Sequence, residues 1–239
     1  FLLGRRLFNT QTGLLAAAFL AVTVTHVQLA HFFTFAPYLT FFAVATLWLI
    51  APALPPQDDN INLQFAWREN KQIRSQFCLL AAAVCVGLAV GSKFAGILLL
   101  LPLVIAAVIV GRSKPIRWSI TAVFTTFLTF ALTNPFALLD YGCEALTPAG
   151  QLGPLRIPAL NWGSCFLQNI STQGSMVRGV TDVPFVRQYL GTTPYLYYIE
   201  MQLRGGMGWL LGSVAFSGVG WVFWHQLRQL EFDSRTVFL

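Results

Sequence analysis

The chain has 239 residues, of which 56% are hydrophobic and only 10% are charged, and its formal net charge is +6. A soluble domain carries about 25% charged residues, so this composition excludes an ordinary soluble protein and indicates a membrane protein. We expect the positive charge to mark one side of the membrane rather than a nucleic-acid partner, because Lys and Arg concentrate in cytoplasmic loops.

Apolar segments long enough to cross a bilayer recur along the chain, and a span needs about 20 such residues. They predict an all-α, polytopic transmembrane bundle with about six spans. One segment, 76–92, is short and rich in Ala and Gly, so it is expected either to be tilted or to be packed among other helices. The predicted spans are 12–30, 36–54, 76–92, 94–111, 118–138 and 206–225.

Three regions follow from this pattern. Transmembrane helices are predicted over 1–138, a long external loop with short interfacial helices over 139–205, and a last transmembrane helix with a cytoplasmic connection over 206–239. The chain begins FLLGRRLFN, without an initiator Met or a signal-peptide pattern, and it ends as a new apolar stretch begins. We therefore expect a central piece of a longer protein.

Basic residues divide unequally between the two predicted sides. Most lie near the chain ends and in the connections 55–75 and 111–117, which predicts that this side is cytoplasmic. Lys93 falls at the tight external turn between the third and fourth spans, where its stem can reach the interface. It is either a turn residue that contacts lipid headgroups or a cation that holds an anionic ligand at the membrane surface.

Polar residues at the ends of other spans are further candidates. His26 and His31 are five residues apart, so they do not face the same side of a helix as paired metal ligands would, and no metal site is predicted from them. His31 is expected at the external end of its span. Asn134-Pro135 is predicted to end the fifth span, and Asp140 beyond it is either a cap or a carboxylate that faces a surface site.

The external loop is predicted to be ordered. NWGSCFLQNISTQGSMVRG has the spacing of a helix lying on the interface. The later stretch TDVPFVRQYLGTTPYLYYIEMQLRGGMGW is rich in Tyr, which is typical of an interfacial aromatic belt. It would equally suit a surface that stacks on a sugar, with Asp182, Arg187 and Glu200 as hydrogen-bonding groups. Cys143 and Cys165 could pair if the loop faces an oxidising compartment.

The order of these pieces resembles one family. GRRLFNTQTGLLAAAFLAVTVTHVQLAHFFTFAPYLTFF, LAAAVCVGLAVGSKFAGILLLLPL, NPFALLD and FVRQYLGTTPYLYYIEMQLRGGMGW are similar, in this order, to stretches of the lipid-linked-sugar glycosyltransferases. These are the family 39 enzymes related to protein O-mannosyltransferases and aminoarabinose transferases. The resemblance implies a GT-C type fold, with the active site on the external face of what we expect to be a bacterial plasma membrane.

The resemblance also implies a reaction. Such enzymes transfer a sugar, with inversion, from a polyprenyl- or dolichyl-phosphate donor to a lipid or protein acceptor. Their catalytic acidic loop would lie upstream of Phe1, so no catalytic base is assigned here and the fragment alone is expected to be inactive. No cofactor is assigned, and a divalent metal in the full-length enzyme is left open. The residues implied are Lys93 and Arg187 for the donor phosphate, and His31, Asp140, Asp182 and Tyr195 for the substrate site.

Two departures from the family pattern keep alternatives open. Ala36 stands where many relatives have Asp, and Arg204-Gly205 stands where they often have an aromatic residue. Either a neighbour such as His31 or Asp140 substitutes for the missing Asp, or the chain is a catalytically degenerate homologue that acts as a scaffold. A membrane transporter is the other alternative, although it would be expected to show inverted repeats and helices broken at the bilayer midplane.

Overall fold

The computed structural model describes residues 1–32, 34–51, 68–111, 114–139, 150–152, 155–157, 164–177, 184, 187, 191–193 and 196–229. The chain forms two compact units. Unit 1 comprises Phe1–Phe130 together with Glu200–Leu239, and unit 2 comprises Ala131–Ile199.

Helices make up most of the described chain. In chain order the elements are α1 (Leu2–Leu7), α2 (Thr10–Val22), α3 (Val24–His31), α4 (Phe35–Ile50), α5 (Arg68–Ser92), a 3₁₀ helix (Phe94–Leu99), α6 (Leu100–Gly111), α7 (Pro115–Thr133), α8 (Phe136–Leu139), β1 (Gly150–Leu152), β2 (Leu155–Ile157), α9 (Ser164–Val177), α10 (Leu196–Met201), a π-helical turn (Gln202–Gly206) and α11 (Trp209–Gln229).

The predicted all-α membrane fold is confirmed, with one small addition. Strands β1 and β2 form an antiparallel hairpin in which Gly150 lies opposite Ile157. The sequence pattern predicts no strand in this loop. The helix predicted within NWGSCFLQNISTQGSMVRG is present as α9, and α7 ends at Thr133, directly before Asn134-Pro135 as predicted.

The core of unit 1 lies between α4, α5, α6 and α7. Its centre is α5, whose Ala82, Ala83 and Val86 have no exposed surface. Small side chains allow the neighbouring helices to come close to α5. Of the two alternatives for 76–92, the structure shows packing among other helices. The buried cluster comprises Ile50, Leu79, Ala82, Ala83, Val86, Leu103, Ala106, Ala107, Val110 and Ala122.

Helices α5 and α7 come into direct contact at a glycine. A Cβ on Gly87 would lie 2.6 Å from the Cβ of Thr129, so no larger residue fits without displacement. One helical turn away, the buried Thr126 hydroxyl donates a hydrogen bond to the Ala83 carbonyl at 3.1 Å. An interhelical hydrogen bond of this kind stabilises membrane helices by about 0.6 kcal/mol on average.

The prediction of six spans is wrong for the described residues. Three helical stretches there are long and apolar enough to cross a membrane, namely Ser75–Ser92, Phe94–Gly111 and Pro115–Thr133. A fourth arises if the bent pair Thr10–Val22 and Val24–His31 counts as one span.

The shortfall has local causes. Helices α2 and α3 meet at a 58° bend, where the Thr23 hydroxyl donates to the Phe19 carbonyl at 2.8 Å. Such back-bonding by Thr favours helix bending. Helix α4 has 16 residues, which is about 24 Å against a hydrocarbon core of about 30 Å. The last apolar helix begins only at Trp209, after Gly208 adopts a positive φ of 79°.

Candidate functional site

The predicted site residue Lys93 lies in a short turn between α5 and the 3₁₀ helix. Its backbone is extended, with φ −155° and ψ 132°. Its amide donates to the Ala89 carbonyl at 2.9 Å, and its carbonyl accepts from the Gly96 amide at 2.8 Å. Backbone hydrogen bonds on both sides therefore hold Lys93 at a defined position.

Gly96 allows the 3₁₀ helix to lie directly against the last turn of α5. A Cβ at this position would lie 2.6 Å from the carbonyl carbon of Ala89 and 2.8 Å from its oxygen, so only glycine fits without a backbone shift. The 3₁₀ helix begins at Phe94 and passes into α6 at Leu100. The position of Lys93 is consequently set by main-chain packing rather than by side-chain contacts alone.

The Lys93 side chain is exposed and contacts the start of α4. Its Nζ lies 4.9 Å from the centre of the Phe35 ring, within the range of a cation–π interaction. In the part of the chain that the structure describes, Lys93 has no carboxylate within salt-bridge distance. The turn therefore presents an ammonium group that an aromatic ring positions but that no described residue neutralises.

The α3–α4 turn lies at the same end of unit 1 as Lys93, since it leads directly into Phe35. The Thr34 hydroxyl donates to the Leu29 carbonyl at 3.1 Å and closes this turn. His31 is exposed at the end of α3, with its ring edge-on to Phe32 at a centroid distance of 5.5 Å. The structure thus brings together two turns that carry predicted site residues, His31 and Lys93.

The opposite end of α4 carries other basic residues. The Arg6 guanidinium donates to the Trp48 carbonyl at 3.4 Å and lies 5.4 Å from the centre of the Trp48 ring. Ile50, at the end of α4, shares the buried cluster with Val110, close to the end of α6. Lys93 and Arg6 are therefore separated along the length of α4, and which end faces the cytoplasm stays a prediction.

The family to which the chain belongs follows from its match to a known family model. The family model of dolichyl-phosphate-mannose-protein mannosyltransferases matches residues 1–139, which is more than half of the chain. The chain belongs to the dolichyl-phosphate-mannose-protein mannosyltransferase family. No curated protein and no solved structure matches the chain significantly.

Family membership makes the protein an integral-membrane glycosyltransferase. The match ends at Leu139, the last residue of α8, and it includes His31, Phe35 and Lys93. The family's name specifies a dolichyl-phosphate sugar donor and a protein acceptor in general terms. The apolar helices of unit 1 agree with a membrane enzyme.

The remaining candidate residues of this mannosyltransferase-family protein belong to unit 2 of the chain. Arg187 is exposed and belongs to unit 2. Asp140, Asp182 and Tyr195 lie outside the described residues, so their roles stay predictions. Across the ranges that the structure describes, no three His, Cys, Asp or Glu side chains form a metal-binding group, and the metal requirement of the full-length protein stays open.

Sequence reasoning missed Phe35. An aromatic residue directly before Ala36, at the start of an apolar segment, was the available signal, but its contact with Lys93 depends on how α4 packs against α5. Ala36, where the family resemblance implies Asp, is partly buried and follows Phe35 directly. The departure from the family pattern therefore falls beside the residue that contacts Lys93.

Arg204 stands at the second departure from the family pattern, and its side chain contacts two other residues. Its guanidinium pairs with Glu200 at 2.9 Å and lies 5.7 Å from the centre of the Trp209 ring. The π-helical turn that carries it packs on α3, because a Cβ on Gly206 would lie 3.0 Å from the Thr25 hydroxyl. Glu200, predicted as a sugar-binding group, is thus engaged by Arg204.

Unit 2 contains a cavity of about 430 Å³. Cys165 on α9 lines this cavity and is disulfide-bonded, whereas Cys78 and Cys85 are free. Cys143, its predicted partner, lies outside the described residues. The other lining residues are Thr133, Asn134, Pro135, Phe136, Ala137, Phe166 and Asn169.

Proposed function

We propose that the protein transfers a sugar from a polyprenyl-phosphate donor of the dolichyl-phosphate type to an acceptor at the external face of a bacterial plasma membrane. The single observation that carries the proposal is the exposed ammonium group of Lys93, which no described residue neutralises, in a fixed turn at one end of the helix bundle. The family assignment supplies the reaction class.

In this proposal Lys93 binds the phosphate of the lipid carrier. A carrier phosphate lies at the depth where spans end, which is where the α5 turn presents its cation. Charge-assisted hydrogen bonds to phosphate are about twice as strong as neutral ones, and the low dielectric of the interface strengthens them further. The Phe35 ring limits the directions in which the ammonium group can point, which reduces the entropy lost on binding.

The chemistry assigns Lys93 a role in the transition state as well. The acceptor oxygen forms a bond to the anomeric carbon while the bond from that carbon to the carrier phosphate breaks. The bonding electron pair leaves with the phosphate, whose negative charge grows during the step. A cation already in place stabilises that charge. The acceptor proton passes to a carboxylate that we expect in a loop preceding Phe1.

The remaining predicted residues keep the roles that the family resemblance implies. Arg187, which belongs to unit 2, is proposed as a cation for the donor phosphate. His31, at the same end of unit 1 as Lys93, would face the sugar or the acceptor. Asp140, Asp182 and Tyr195 are proposed as substrate-binding groups on the external side.

Two observations support the external location. The basic connections predict a cytoplasmic location for the end of unit 1 opposite Lys93. Cys165 is disulfide-bonded, and structural disulfides persist mainly in oxidising compartments such as the bacterial periplasm. The first observation supports an external location for the Lys93 turn, and the second supports an external location for unit 2.

The test is substitution of Lys93 in the full-length protein. Lys93→Gln removes the cation, and we expect kcat/KM for the polyprenyl-phosphate donor to fall about 10- to 100-fold, as for loss of a charged hydrogen bond. Lys93→Arg should retain part of the activity. The readout is transfer of labelled sugar in membranes of known enzyme content.

Arg5→Gln is the matched control. Arg5 is also an exposed cation over a phenyl ring, with its guanidinium 5.4 Å from the centre of the Phe1 ring. We expect this variant to keep wild-type kcat/KM, since Arg5 lies in α1 beside Arg6 and away from the Lys93 turn. Wild-type donor kinetics in Lys93→Gln would show that Lys93 is only a turn residue.

A catalytically degenerate scaffold is the second candidate, and Ala36 favours it. This residue lies directly after Phe35, so Ala36→Asp would introduce a carboxylate beside the Lys93 contact. A gain of sugar transfer in Ala36→Asp, from an inactive full-length protein, would identify decayed catalysis. Measurable transfer by the unmodified protein would exclude the scaffold.

A further inference from the structure

A second concave surface lies on unit 1, where α7 begins. It is an open cavity of about 550 Å³. Its lining combines two cations, two isoleucines and a hydroxyl group. The lining residues are Lys114, Pro115, Ile116, Arg117, Ile120 and Thr121.

The polar part of this lining is cationic. Lys114 and Arg117 are both exposed, and neither has a carboxylate partner among the residues that the structure describes. The Thr121 hydroxyl donates a hydrogen bond to the Arg117 carbonyl at 2.9 Å. The cavity therefore offers an anion two positive side chains and no competing negative one from the described residues.

The position of Lys114 is fixed by the backbone. Its carbonyl accepts from the Trp118 amide at 3.2 Å. The Trp118 side chain packs against Gly111 at the end of α6, where a Cβ would lie 3.2 Å from the indole. The cationic cavity is thus held against the end of α6 rather than carried on a free loop.

An apolar ridge leads away from the cations along α7. Ile116, Ile120, Phe124 and Leu128 are spaced four residues apart, which places them on one helix face. Their exposed fractions are 75%, 64%, 61% and 45%. Helix α7 is long and apolar enough to cross a membrane, so this ridge lies along the direction of the lipid chains.

We propose that this surface binds an anionic phospholipid, with the phosphate between Lys114 and Arg117 and an acyl chain along the α7 ridge. Charge complementarity selects an anionic headgroup, as in basic pockets at the cytoplasmic ends of other transmembrane helices. The apolar ridge favours an amphiphile, because a dissolved anion has no apolar chain to bury against it. The site shares no residue with the Lys93 turn, so it stands whether or not the proposed reaction is correct.

The experiment is native mass spectrometry of the purified full chain with equimolar phosphatidylglycerol and phosphatidylcholine. We expect wild-type protein to retain phosphatidylglycerol preferentially. The double variant Lys114→Gln/Arg117→Gln should bind it about 25-fold more weakly, at roughly fivefold for each cation near the membrane surface. Arg204→Gln is the control, because that guanidinium is already paired with Glu200.

Two further arms test the lipid directly. Ile116→Ala/Ile120→Ala should weaken phosphatidylglycerol retention severalfold while the cations remain, and it serves as the second variant if the double cation variant does not fold. Glycerol 3-phosphate at millimolar concentration should not displace the lipid. Equal retention by wild type and both double variants, equal retention of phosphatidylcholine, or displacement by glycerol 3-phosphate would each overturn the proposal.

Discussion

Gly96 controls the position of Lys93 more directly than any side-chain contact does. Its Cα hydrogen points at the last turn of α5, and an added methyl group would overlap the Ala89 carbonyl. A closely packed site cannot accept a new carbon without movement of the backbone, which typically costs about 1–3 kcal/mol. The function of the lysine turn is therefore expected to depend on a residue that bears no functional group.

Gly96→Ala should lower the free energy of unfolding by about 1–3 kcal/mol. Thermal and denaturant unfolding in detergent measures this change. Gly218→Ala in α11 is the control, because a Cβ there meets no atom within 4 Å and Ala favours a helix. If both variants unfold at the wild-type midpoint, the close contact between Gly96 and Ala89 is not part of the folded protein.

At the residue scale, the sequence identified Lys93 but not its partner. A lysine between two apolar runs is visible because its charge is costly inside a bilayer. Phe35 is one of 21 phenylalanines, and its place directly before Ala36 does not by itself predict a contact with Lys93. Its contact with Lys93 depends on the packing of α4 against α5.

Among the elements, threonine has two opposite effects in this bundle. Thr23 accompanies the bend between α2 and α3 by bonding to the preceding turn. Thr126 instead joins two helices, since its hydroxyl reaches the Ala83 carbonyl on α5. The same residue type thus accompanies a bend in one predicted span and joins another span to its neighbour. Which effect occurs depends on whether the backbone of a neighbouring helix lies within hydrogen-bonding reach of the hydroxyl.

Thr126→Val removes the interhelical hydrogen bond with little change in side-chain shape. We expect the free energy of unfolding to fall by about 0.5–1.5 kcal/mol. Thr125→Val is matched to it, because the Thr125 hydroxyl donates only to Thr121 in its own helix at 2.8 Å. An equal effect of the two substitutions would mean that the bond to Ala83 contributes no more than local bonding.

The whole molecule is predicted to place the two ends of unit 1 on opposite sides of the membrane. The Lys93 end carries His31, and the other end carries Arg6 and Lys114. The excess of basic residues predicts that the second end is cytoplasmic.

Labelling with a membrane-impermeant maleimide tests this orientation. In a protein with Cys78 and Cys85 replaced by Ala, His31→Cys should react from the external side of intact cells. Lys114→Cys should react only after the membrane is opened. Both positions are exposed, so access rather than burial decides the result. Reaction of both from the same side would contradict the predicted topology and the external location of the proposed reaction.

The sequence by itself determined the membrane character, the helical class, the family resemblance, the lysine turn and the end of α7 before Asn134-Pro135. These depend on composition, on local backbone chemistry and on motif order. Only the tertiary structure decided the Phe35–Lys93 contact, the approach of Thr129 to Gly87 and the hydrogen bond from Thr126 to Ala83. Each of these depends on how bent and shortened helices pack, since contacts between residues distant in the chain leave no periodic signal along it.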